Sequence, residues 1–593
     1  MEASLKTCVL TIVLIVLSSL GSAFGQTSAR IPSRSQAVDT CSIRRTCIIN
    51  PVFATGMKCD GFTDDSAALQ AALASATASL GNATLIMPPG TCIVDPGASV
   101  SINAAIWLQG AGRFGTTLKR KNSSSGGSIL LINSSGVTLS DFAIDGNKGG
   151  TGIGTPADSV AAGAPFSNIT IQRMRFMNST NSDVASYVSG AGNYTADWLI
   201  VDNDFENQGN PFSSCIASIK CANLRLLQPL RLRVTDNRSN GAQQFVLLAS
   251  IPGGGQIDVG QNTISNLDGF GVALGGGVLG SAGAHIHHNV IVSTNTNADN
   301  LIDLAFWNDF LVDHNIMYHN GMVPNNSGLA IGCIGDFPPA NHGDVDSNIC
   351  YIAPNRTIDV VGIGLGGSDV SVTNNFVQGA SSAGISIAVS NLGPARGVRI
   401  IGNTTKNNDQ AQVTLGPHAG IELYLGVGAP TSAGLSDVII QGNHSYDDQP
   451  AKTQAYGIGI GLYGQPAPYA NILVEGNDVT GNLLGGVLSN ATPPVPGLVI
   501  RNNLGHNPIG SITAPAFPAS GAGALVNTSG YDVTIYVTSG TNPITIAING
   551  IVLTGVSVAG GGAVSSPIRL PANQSITLTY AAGGTPSWQW IAD

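Results

Sequence analysis

The chain has 593 residues, of which 10% are charged and 43% hydrophobic, and it contains 76 glycines. This composition excludes a mostly helical protein, whose exposed faces need more Lys, Glu and Arg, and favours short strands joined by tight turns. The formal net charge of −10 gives no indication of a nucleic-acid-binding surface. The length exceeds that of one ordinary core, so we expect a repeat architecture or more than one unit.

Residues 1–25 have the pattern of a signal peptide. Lys6 supplies a positive charge, residues 9–17 are almost entirely apolar, and Ala23 and Gly25 provide small residues for cleavage. A membrane anchor is the alternative, but the run is short for a spanning helix, which needs about 20 apolar residues. We therefore expect a secreted or periplasmic protein with no membrane contact after signal removal, and an N-terminal extension over residues 26–58.

The cysteine count agrees with export. Cys8 leaves with the signal, and eight cysteines remain, an even number that predicts disulfides in an oxidising compartment. Connectivity does not follow from sequence alone, and no paired CxxC motif indicates zinc. The pairings that are local in sequence are Cys41–Cys47, Cys59–Cys92, Cys215–Cys221 and Cys333–Cys350.

The segment that follows has features of a capping element. Residues 59–73 read CDGFTDDSAALQAAL, in which Asp64 or Asp65 can cap a short helix beginning near Ser66. The apolar face of this helix would cover the open end of a solenoid. These acidic residues are therefore predicted to be structural rather than catalytic.

The same segment resembles the GDGxTDDTxAIQxAI opening of pectate-lyase-like and rhamnogalacturonase-like β-helix proteins, with Cys59 in place of the first glycine. Residues 86–90 and 110–118 also resemble the first rungs of that superfamily. The resemblance is strong over residues 59–120, and the repeat pattern extends it to about residue 510. It implies a right-handed parallel β-helix and a carbohydrate-active enzyme, usually a hydrolase or a lyase.

A repeat begins near residue 200, where a short β-branched run is followed by a polar residue or glycine and then by asparagine. The intervals between these asparagines are 34, 25, 27, 26, 33, 27, 28, 40, 34 and 26 residues, as expected for a solenoid with loops inserted in some rungs. The asparagines are Asn203, Asn237, Asn262, Asn289, Asn315, Asn348, Asn375, Asn403, Asn443, Asn477 and Asn503.

Asparagine suits the corners of a β-helix for two reasons. It tolerates the left-handed backbone that a sharp corner demands, and its side chain can hydrogen-bond to copies in the rungs above and below. A leucine-rich repeat is excluded because the leucine skeleton is absent, and a β-propeller because its aromatic signatures are absent. We predict an all-β chain whose residues 59–511 form a right-handed, single-stranded parallel β-helix with a short capping helix.

The asparagine corners stop before residue 512. Alternating segments after that point predict a small C-terminal β-domain over residues 512–593. Its Trp588 or Trp590 can stack on a sugar, but we favour a capping or oligomerisation module with core tryptophans.

The strands after each asparagine corner suggest a site. The aligned Ile-x-Ile-type segments place the middle residue outward. Two rungs span about 9–10 Å, near the upper end of the roughly 6.5–9.5 Å between the carboxylates of an inverting glycosidase. We therefore predict Asp303 and Asp359 as the acid/base pair, with Glu422 as a third catalytic candidate; exposed carboxylates that only solubilise this face are the alternative. The predicted outward column is Asp303, Ala330, Asp359, Ser386, Glu422 and Gly459.

Four neighbours are candidates for substrate binding. Trp307 and Tyr424 offer aromatic faces, His418 offers a proton carrier, and Asp336 can narrow the gap between the carboxylates. Each of these side chains, taken alone, is more often a packing residue.

A different chemistry would need other residues. The characteristic polygalacturonase motifs are missing, and a calcium-dependent lyase would need an outward base, for which Lys220 and Arg231 are the best candidates. His285 and His287 share a strand face near His288, but without an evident carboxylate ligand they predict no metal site.

Three functions therefore remain open. The first is a secreted glycoside hydrolase that needs no cofactor. The second is a polysaccharide lyase of the same fold, for which calcium is possible, and the third is a non-catalytic β-helix that binds carbohydrate or acts at a surface. All three take a polysaccharide partner, and the C-terminal domain could support an oligomer.

Overall fold

The computed structural model describes much of the chain from residue 48 onward, and residues 41–593 form one compact unit. The predicted signal peptide and Cys41, Cys47, Cys215 and Cys221 lie outside the described residues. No helix among the described residues is long and apolar enough to cross a membrane. The described residues are 48–49, 55–78, 83–96, 100–121, 127–147, 158, 160–162, 165–179, 181–187, 193–206, 222–249, 255–275, 281–293, 300–305, 307–320, 330–336, 340–354, 360–389, 394–411, 417–425, 434–462, 468–491, 495–506, 510–554 and 556–592.

Three long parallel sheets run along the chain, and successive turns add one strand to each of them in the order A, B, C. This is the parallel β-helix that the repeat predicted, and the fold prediction is confirmed. Each strand bonds to the equivalent strand of the next turn, so the helix interior is a stack of rungs.

Sheets A, B and C are defined by their strands. Sheet A consists of Ile48–Ile49, Ala83–Ile86, Ile106–Gln109, Thr138–Ser140, Ile169–Gln172, Thr195–Ala196, Trp198–Val201, Pro229–Thr235, Gly255–Gly260, Ser281–His287, Trp307–Asp313, Asn341–Asp346, Val370–Thr373, Ala395–Arg396, Arg399–Ile401, Leu435–Gln441, Tyr469–Glu475 and Val499–Arg501. Sheet B consists of Asp60–Asp64, Gly90–Val94, Thr116–Arg120, Ala143–Asp145, Arg175–Met177, Asp204–Glu206, Arg238–Asn240, Thr263–Leu267, Val290–Ser293, Ile316–His319, Ile349–Ile352, Phe376–Gln378, Thr404–Lys406 and His444–Tyr446. Sheet C consists of Ser101–Ile102, Leu130–Ile132, Val160–Ala162, Val184–Ser186, Leu224–Leu227, Val246–Ala249, Val272–Gly275, Ile302–Asp303, Ala330–Gly335, Val360–Leu365, Ile385–Val389, Ala419–Leu425, Tyr456–Ile460 and Gly485–Ser489.

The core is a stack of β-branched side chains. In sheet A, Val259, Ile286, Val312, Val345 and Val372 occupy the same register position in five consecutive rungs, and all five are fully buried. Branched side chains pack well on a pleated surface, so the same residue type recurs at the same inward position.

The repeated asparagines form a buried ladder at the corner between sheets A and B. Each side-chain amide donates to the carboxamide oxygen of the next asparagine; for example, Asn289 Nδ2 lies 2.9 Å from Asn315 Oδ1. The ladder runs from Asn203 to Asn503 with such contacts of 2.8 to 3.0 Å. The predicted bonding between stacked asparagines is therefore confirmed.

The left-handed backbone falls one residue earlier than the sequence analysis expected. Gln261, Ser347 and Gly442, which each precede a ladder asparagine, have φ values of 59°, 54° and 64°. At each of these corners the preceding residue therefore makes the sharp bend, and the asparagine side chain forms the interior hydrogen bonds.

Helix α1, Ser66–Ala78, is the cap that the sequence predicted. Asp64 Oδ1 accepts a hydrogen bond from Ser66 N at 3.0 Å, while the Asp65 carboxylate turns back to accept from Lys58 N and Cys59 N. The apolar face of α1, including Leu69 and its buried neighbours, belongs to the main hydrophobic core. Both acidic residues are therefore structural.

Two disulfides are present among the described residues. Cys59–Cys92 joins the segment before α1 to sheet B, and Cys333–Cys350 crosses a rung from sheet C to sheet B. Both match the pairings that are local in sequence.

The C-terminal part is antiparallel. Sheet D contains Gly510–Ile512, Val533–Thr538, Ile568–Leu570 and Ser587–Ala592, and sheet E contains Leu525–Val526, Ile544–Ile548, Ile551–Val552 and Ser575–Tyr580. The predicted boundary at residue 512 stays a prediction, with the first antiparallel strand beginning at Gly510.

Both C-terminal tryptophans lie in the core of this part rather than on its surface. Trp590 is buried, and half-buried Trp588 donates its indole N–H to Pro515 O at 2.8 Å. A sugar-stacking role for these rings is therefore disfavoured. Tyr531 packs against this core and against the core of the β-helix, so it lies at the junction of the two.

Candidate functional site

Sheet C carries the unusual carboxylates of the described chain. Asp158, Asp183, Asp336 and Asp409 are all buried, and burial raises the pKa of each. Asp158, Asp183 and Asp336 lie within two residues of a strand of sheet C, and Asp409 contacts His418, which directly precedes such a strand. Because perturbed carboxyl groups gather at functional sites, sheet C is the candidate functional face.

Carboxylates elsewhere behave differently. Burial also acts to raise the pKa of Asp141 and of Asp346, but several hydrogen bonds to each carboxylate, led by those from Arg173 and Thr373, together outweigh it and hold both pKa values below the usual range. The hydrogen bonds account for the pKa of both carboxyl groups, so neither group indicates a catalytic role.

Glu422 is the centre of the first cluster. Its strand Ala419–Leu425 pairs in the register that the sequence predicted, with Ser386 in the rung before and Gly459 in the rung after. Glu422 is 3% exposed, so its carboxylate faces away from the core yet is covered. Glu422 is therefore a buried group rather than one that merely solubilises the surface.

His418 joins Glu422 to a second carboxylate. His418 Nδ1 lies 3.1 Å from Glu422 Oε1, and the backbone N–H of Ala419 donates to the same oxygen at 3.0 Å. The backbone N–H of His418 donates to Asp409 Oδ2 at 3.1 Å. We call these three side chains, Asp409, His418 and Glu422, the carboxylate–imidazole cluster.

The two carboxyl groups of this cluster differ in environment. Burial raises the pKa of Asp409 to about 7; His418 opposes the rise, and the negative charge of Glu422 adds to it. Asp409 therefore holds its proton up to neutral pH. A pair of acids in which one keeps its proton is the arrangement that divides acid and base roles.

Two polar atoms beside the cluster lack partners. Ser386 Oγ and Asp409 Oδ1 are buried and have no hydrogen-bond partner in the part of the chain that the structure describes. Buried polar groups are rarely left unpaired, so such atoms mark places where a ligand or water can bind. Tyr469 adds a phenol nearby: burial raises its pKa, and the charges of Tyr424 and Glu422 raise it further.

Asp303 and Asp336 form a second pair. Asp303 is level with Gly335 in the next rung, and Asp336 follows Gly335 directly. Asp336 accepts from Gly366 N at 2.8 Å and from Ala340 N at 3.0 Å. Even so, burial raises its pKa to about 8, and the charge of Asp303 contributes to the rise.

The predicted pairing of Asp303 with Asp359 is wrong in register. Two rungs beyond Asp303 the matching residue is Gly364, five residues after Asp359, and Gly335 rather than Ala330 lies between them. A register shift in strand Ala330–Gly335 and the complete burial of Val360–Leu365 remove the alternation on which the alignment rested. Asp359 itself lies outside the described residues.

The two candidate centres are separate. Asp303 and Glu422 share one column, but four rungs separate them, a distance of roughly 19 Å at about 4.8 Å per rung. They cannot act on one bond, so they are alternatives.

Three other residues predicted from the sequence lie in different surroundings. His418 lies in the carboxylate–imidazole cluster, and Tyr424, on the same strand as Glu422, is half-buried. Trp307 is fully buried in the core, so the prediction that it stacks on a sugar is wrong. Its side chain fills the β-helix interior at the start of strand Trp307–Asp313.

The lyase candidates lie away from sheet C. Arg231 is on sheet A, where its guanidinium bonds to Asp197 at 2.7 Å, and Lys220 lies outside the described residues. His285 and His287 do have carboxylate neighbours, Asp258 and Asp313, contrary to the sequence analysis. Each carboxylate belongs to an adjacent rung, about 30 residues away in sequence, so local inspection missed it.

Sequence reasoning also missed Asp409, Asp158 and Asp183. Asp409 lies in the polar run Asn408-Asp409-Gln410, all of it buried, and a polar run at a predicted core corner is the signal that would have found it. Asp183, whose pKa burial raises to about 7, accepts from Asn223 at 2.7 Å. Asp158 accepts hydrogen bonds from Tyr187 and Asn181.

Comparison with known proteins identifies one segment. Residues 50–138 match the family described as rhamnogalacturonase A/epimerase, pectate lyase-like. This confirms the resemblance drawn from residues 59–120. A search of curated proteins found no match.

Solved structures with similarity to the chain are distant. The mannuronan C-5 epimerase AlgE6 A-module of Azotobacter vinelandii is 17% identical, with a TM-score of 0.35, over 77% of this chain and 98% of that one. The bacteriophage Phi29 gene product 12 N-terminal fragment is 13% identical, with a TM-score of 0.47, over 76% and 71%. A tailspike protein of E. coli bacteriophage HK620 is 10% identical, with a TM-score of 0.44, over 91% of each chain. The function is therefore argued from the residues of this chain.

Proposed function

We propose that the protein is a secreted polysaccharide-active enzyme, a glycoside hydrolase that uses the carboxylate–imidazole cluster on sheet C. The observation that carries this proposal is the pair of buried acids, Asp409 and Glu422, linked through His418. The pectate-lyase-like match over residues 50–138 supports carbohydrate as the substrate class.

The roles follow from the proton held by Asp409 and from the contacts of Glu422. Asp409, with a pKa of about 7, is the proton donor to the leaving sugar oxygen. Glu422 is the base or nucleophile on the other side of the bond, and its Oε1 is oriented by His418 and by Ala419 N. Glycoside hydrolysis pairs a carboxylic acid that donates a proton with a second carboxyl group that acts as base or nucleophile.

The composition of sheet C favours a substrate of low charge. The described strands of sheet C from Ile302 to Ser489 contain no Lys or Arg. An anionic glycan would need cations to neutralise its carboxylates, as would the enolate formed by a lyase. This favours hydrolysis of a neutral glycan over elimination from a uronate.

Access to the cluster requires movement. Asp409 and Glu422 are 1% and 3% exposed, so a glycan reaches them only when the residues that cover them shift. Ser386 Oγ, in the rung beside Glu422, has no hydrogen-bond partner among the described residues and is then available to bond a sugar hydroxyl.

The test is release of reducing sugar from a broad panel of neutral and acidic polysaccharides. Glu422→Gln and Asp409→Asn should each lower the turnover at least about 100-fold. Asp344→Asn is the matched control, because Asp344 is exposed on sheet A. All proteins should be checked for folding by circular dichroism.

Three outcomes would contradict the proposal. Full activity in both variants would exclude the cluster as the catalytic site. An ultraviolet-absorbing unsaturated product would indicate a lyase, and glycan binding with no release from any polysaccharide would indicate a binding protein.

A further inference from the structure

The outer face of sheet A carries a second set of titratable side chains, remote from the cluster on sheet C. His285 and His287 lie on strand Ser281–His287, with Asp258 on the strand before and Asp313 on the strand after. Residues of neighbouring strands at one register position stack at about 4.8 Å, so all four side chains share one patch.

Three of these side chains converge. His287 Nε2 lies 2.9 Å from Asp258 Oδ1, and the ring of His285 stacks on that of His287 with centroids 4.1 Å apart. One ligand atom from each of Asp258, His285 and His287 lies within 4.8 Å of the others. Two imidazoles and a carboxylate are the donor set of many three-ligand zinc sites.

Gly260 makes this geometry possible. Gly260 is level with His287 in the previous rung, and a Cβ atom at residue 260 would lie 2.4 Å from His287 Nε2. The missing side chain lets the His287 ring lean back across the strand toward Asp258. Any other residue at this position would push the imidazole away from the carboxylate.

The surrounding residues orient the three donors. Asp313 Oδ1 lies 2.7 Å from His285 Nε2, the kind of carboxylate–imidazole contact that fixes the ring of a metal-binding histidine. Arg233 Nε lies 3.1 Å from Asp258 Oδ2, which leaves Oδ1 to face the histidines.

We propose that Asp258, His285 and His287 form a binding site for one divalent transition-metal ion of the zinc class. Nitrogen and carboxylate donors suit Zn²⁺, Co²⁺ or Ni²⁺ better than Ca²⁺, which takes six or more oxygens. The ion would join two consecutive rungs of sheet A. In the described part of the chain a second cluster of metal-binding residue types, Cys59, Asp65 and Cys92, is excluded because the two cysteines form a disulfide.

The test uses the full-length protein, produced without a polyhistidine tag and freed of metal by a chelator. Calorimetry with ZnCl₂ and visible absorption with CoCl₂ should show one saturable equivalent per chain. His285→Asn and His287→Asn should each weaken binding at least tenfold. His444→Asn is the matched control and should change nothing, because among the described residues His444 faces a single carboxylate, that of Asp478, at 3.6 Å.

A second variant tests the geometry of the site without removing any of the three donor side chains. Gly260→Ala keeps all three donors but displaces the His287 ring, so binding should weaken at least tenfold while circular dichroism stays unchanged. Absence of saturable binding to the wild-type protein would overturn the proposal. Binding that survives the double variant His285→Asn/His287→Asn would overturn it as well, because the ion would then be held elsewhere.

Discussion

His418 Nδ1 lies 3.1 Å from Glu422 Oε1, and both side chains are almost completely buried on the outer side of sheet C. They are four positions apart in the sequence, yet they do not share a helical turn: His418 precedes a strand and Glu422 lies within it. The contact joins the residue directly before strand Ala419–Leu425 to the fourth residue of that strand. The backbone N–H of His418 also donates to Asp409, so His418 contacts both carboxylates of the cluster.

The activity should depend on the proton of Asp409. If Asp409 is the acid, its carboxyl must be protonated, so turnover should fall as pH rises through about 7. Asp409→Asn should abolish this limb along with most of the rate. The measurement is the pH profile of turnover from pH 4 to 9 for wild type and variant. A wild-type profile that stays flat between pH 6 and 8 would exclude Asp409 as the acid.

Stability should fall with rising pH because of Asp336. Its folded pKa of about 8 lies above the usual aspartate value of 3.8, so between these values the folded protein binds a proton that the unfolded chain has released. The stabilisation is complete below the unfolded pKa and is lost as pH rises to about 8, at up to about 1.4 kcal/mol per pH unit. Asp336→Asn should flatten this slope, as measured by unfolding midpoints at pH 5, 6, 7 and 8.

The control for that experiment is Asp344→Asn, which removes an exposed carboxylate from sheet A and should leave the slope unchanged. Burial also raises the pKa of Asp183 and of Asp409 to about 7, so the wild-type slope is a sum. Only the difference between wild type and Asp336→Asn isolates one group. Equal slopes in the two proteins would show that Asp336 is ionised in the folded state.

The asparagine ladder made the fold predictable, because each rung repeats the same residue at a corner and the period can be read directly. The register of Glu422 was predictable for the same reason, since Ile421 and Leu423 flank it with clear alternation. Asp359 was misplaced because Val360–Leu365 is buried at every residue, so alternation gives no information there.

The acid of the cluster was not predictable in the same way. Asp409 lies outside the strands, at a corner where no period operates, and its pKa depends on burial that only the assembled rungs create. The proposed metal site could not be predicted from the sequence for a similar reason. His287 needs Asp258 from 29 residues earlier and an empty position at Gly260, and both follow from register rather than from a local motif.

Removal of one ladder asparagine should be costly. Asn315 Nδ2 donates to Asn348 Oδ1 and to Ile286 O, and Asn315 Oδ1 accepts from Asn289. Asn315→Ala deprives Asn289 N, Asn289 Nδ2 and Ile286 O of this partner, whereas Asn348 Oδ1 keeps the backbone N–H of residue 315. Three such losses, each at a cost of about 1–3 kcal/mol, should total at least about 3 kcal/mol. Thermal unfolding of the variant measures the loss. Asp344→Ala is the control and should stay within about 0.5 kcal/mol of wild type.

The backbone conformation at the corner gives a prediction for two glutamines, at which substitution by glycine should have opposite effects on the free energy of unfolding. Gln261 is exposed and adopts a φ of 59°, a left-handed conformation that costs a residue with a side chain about 1 kcal/mol relative to glycine. Gln261→Gly should therefore stabilise the protein or leave it unchanged. Gln441 is also exposed but ends the extended strand Leu435–Gln441, where glycine should destabilise by about 0.5–1 kcal/mol.

Unfolding midpoints of the two glutamine variants, measured side by side, decide the matter. The chemical change is identical in both, so loss of the side chain itself cancels and only the backbone conformation differs. If both variants lose stability equally, then the bend is not strained at Gln261, and the sharp turn must be stabilised by the Asn262 side chain alone. In that case the stability of the corner would depend on the hydrogen bonds of the asparagine ladder rather than on the backbone conformation of residue 261. Asn262→Ala should then destabilise the protein more than Gln261→Gly.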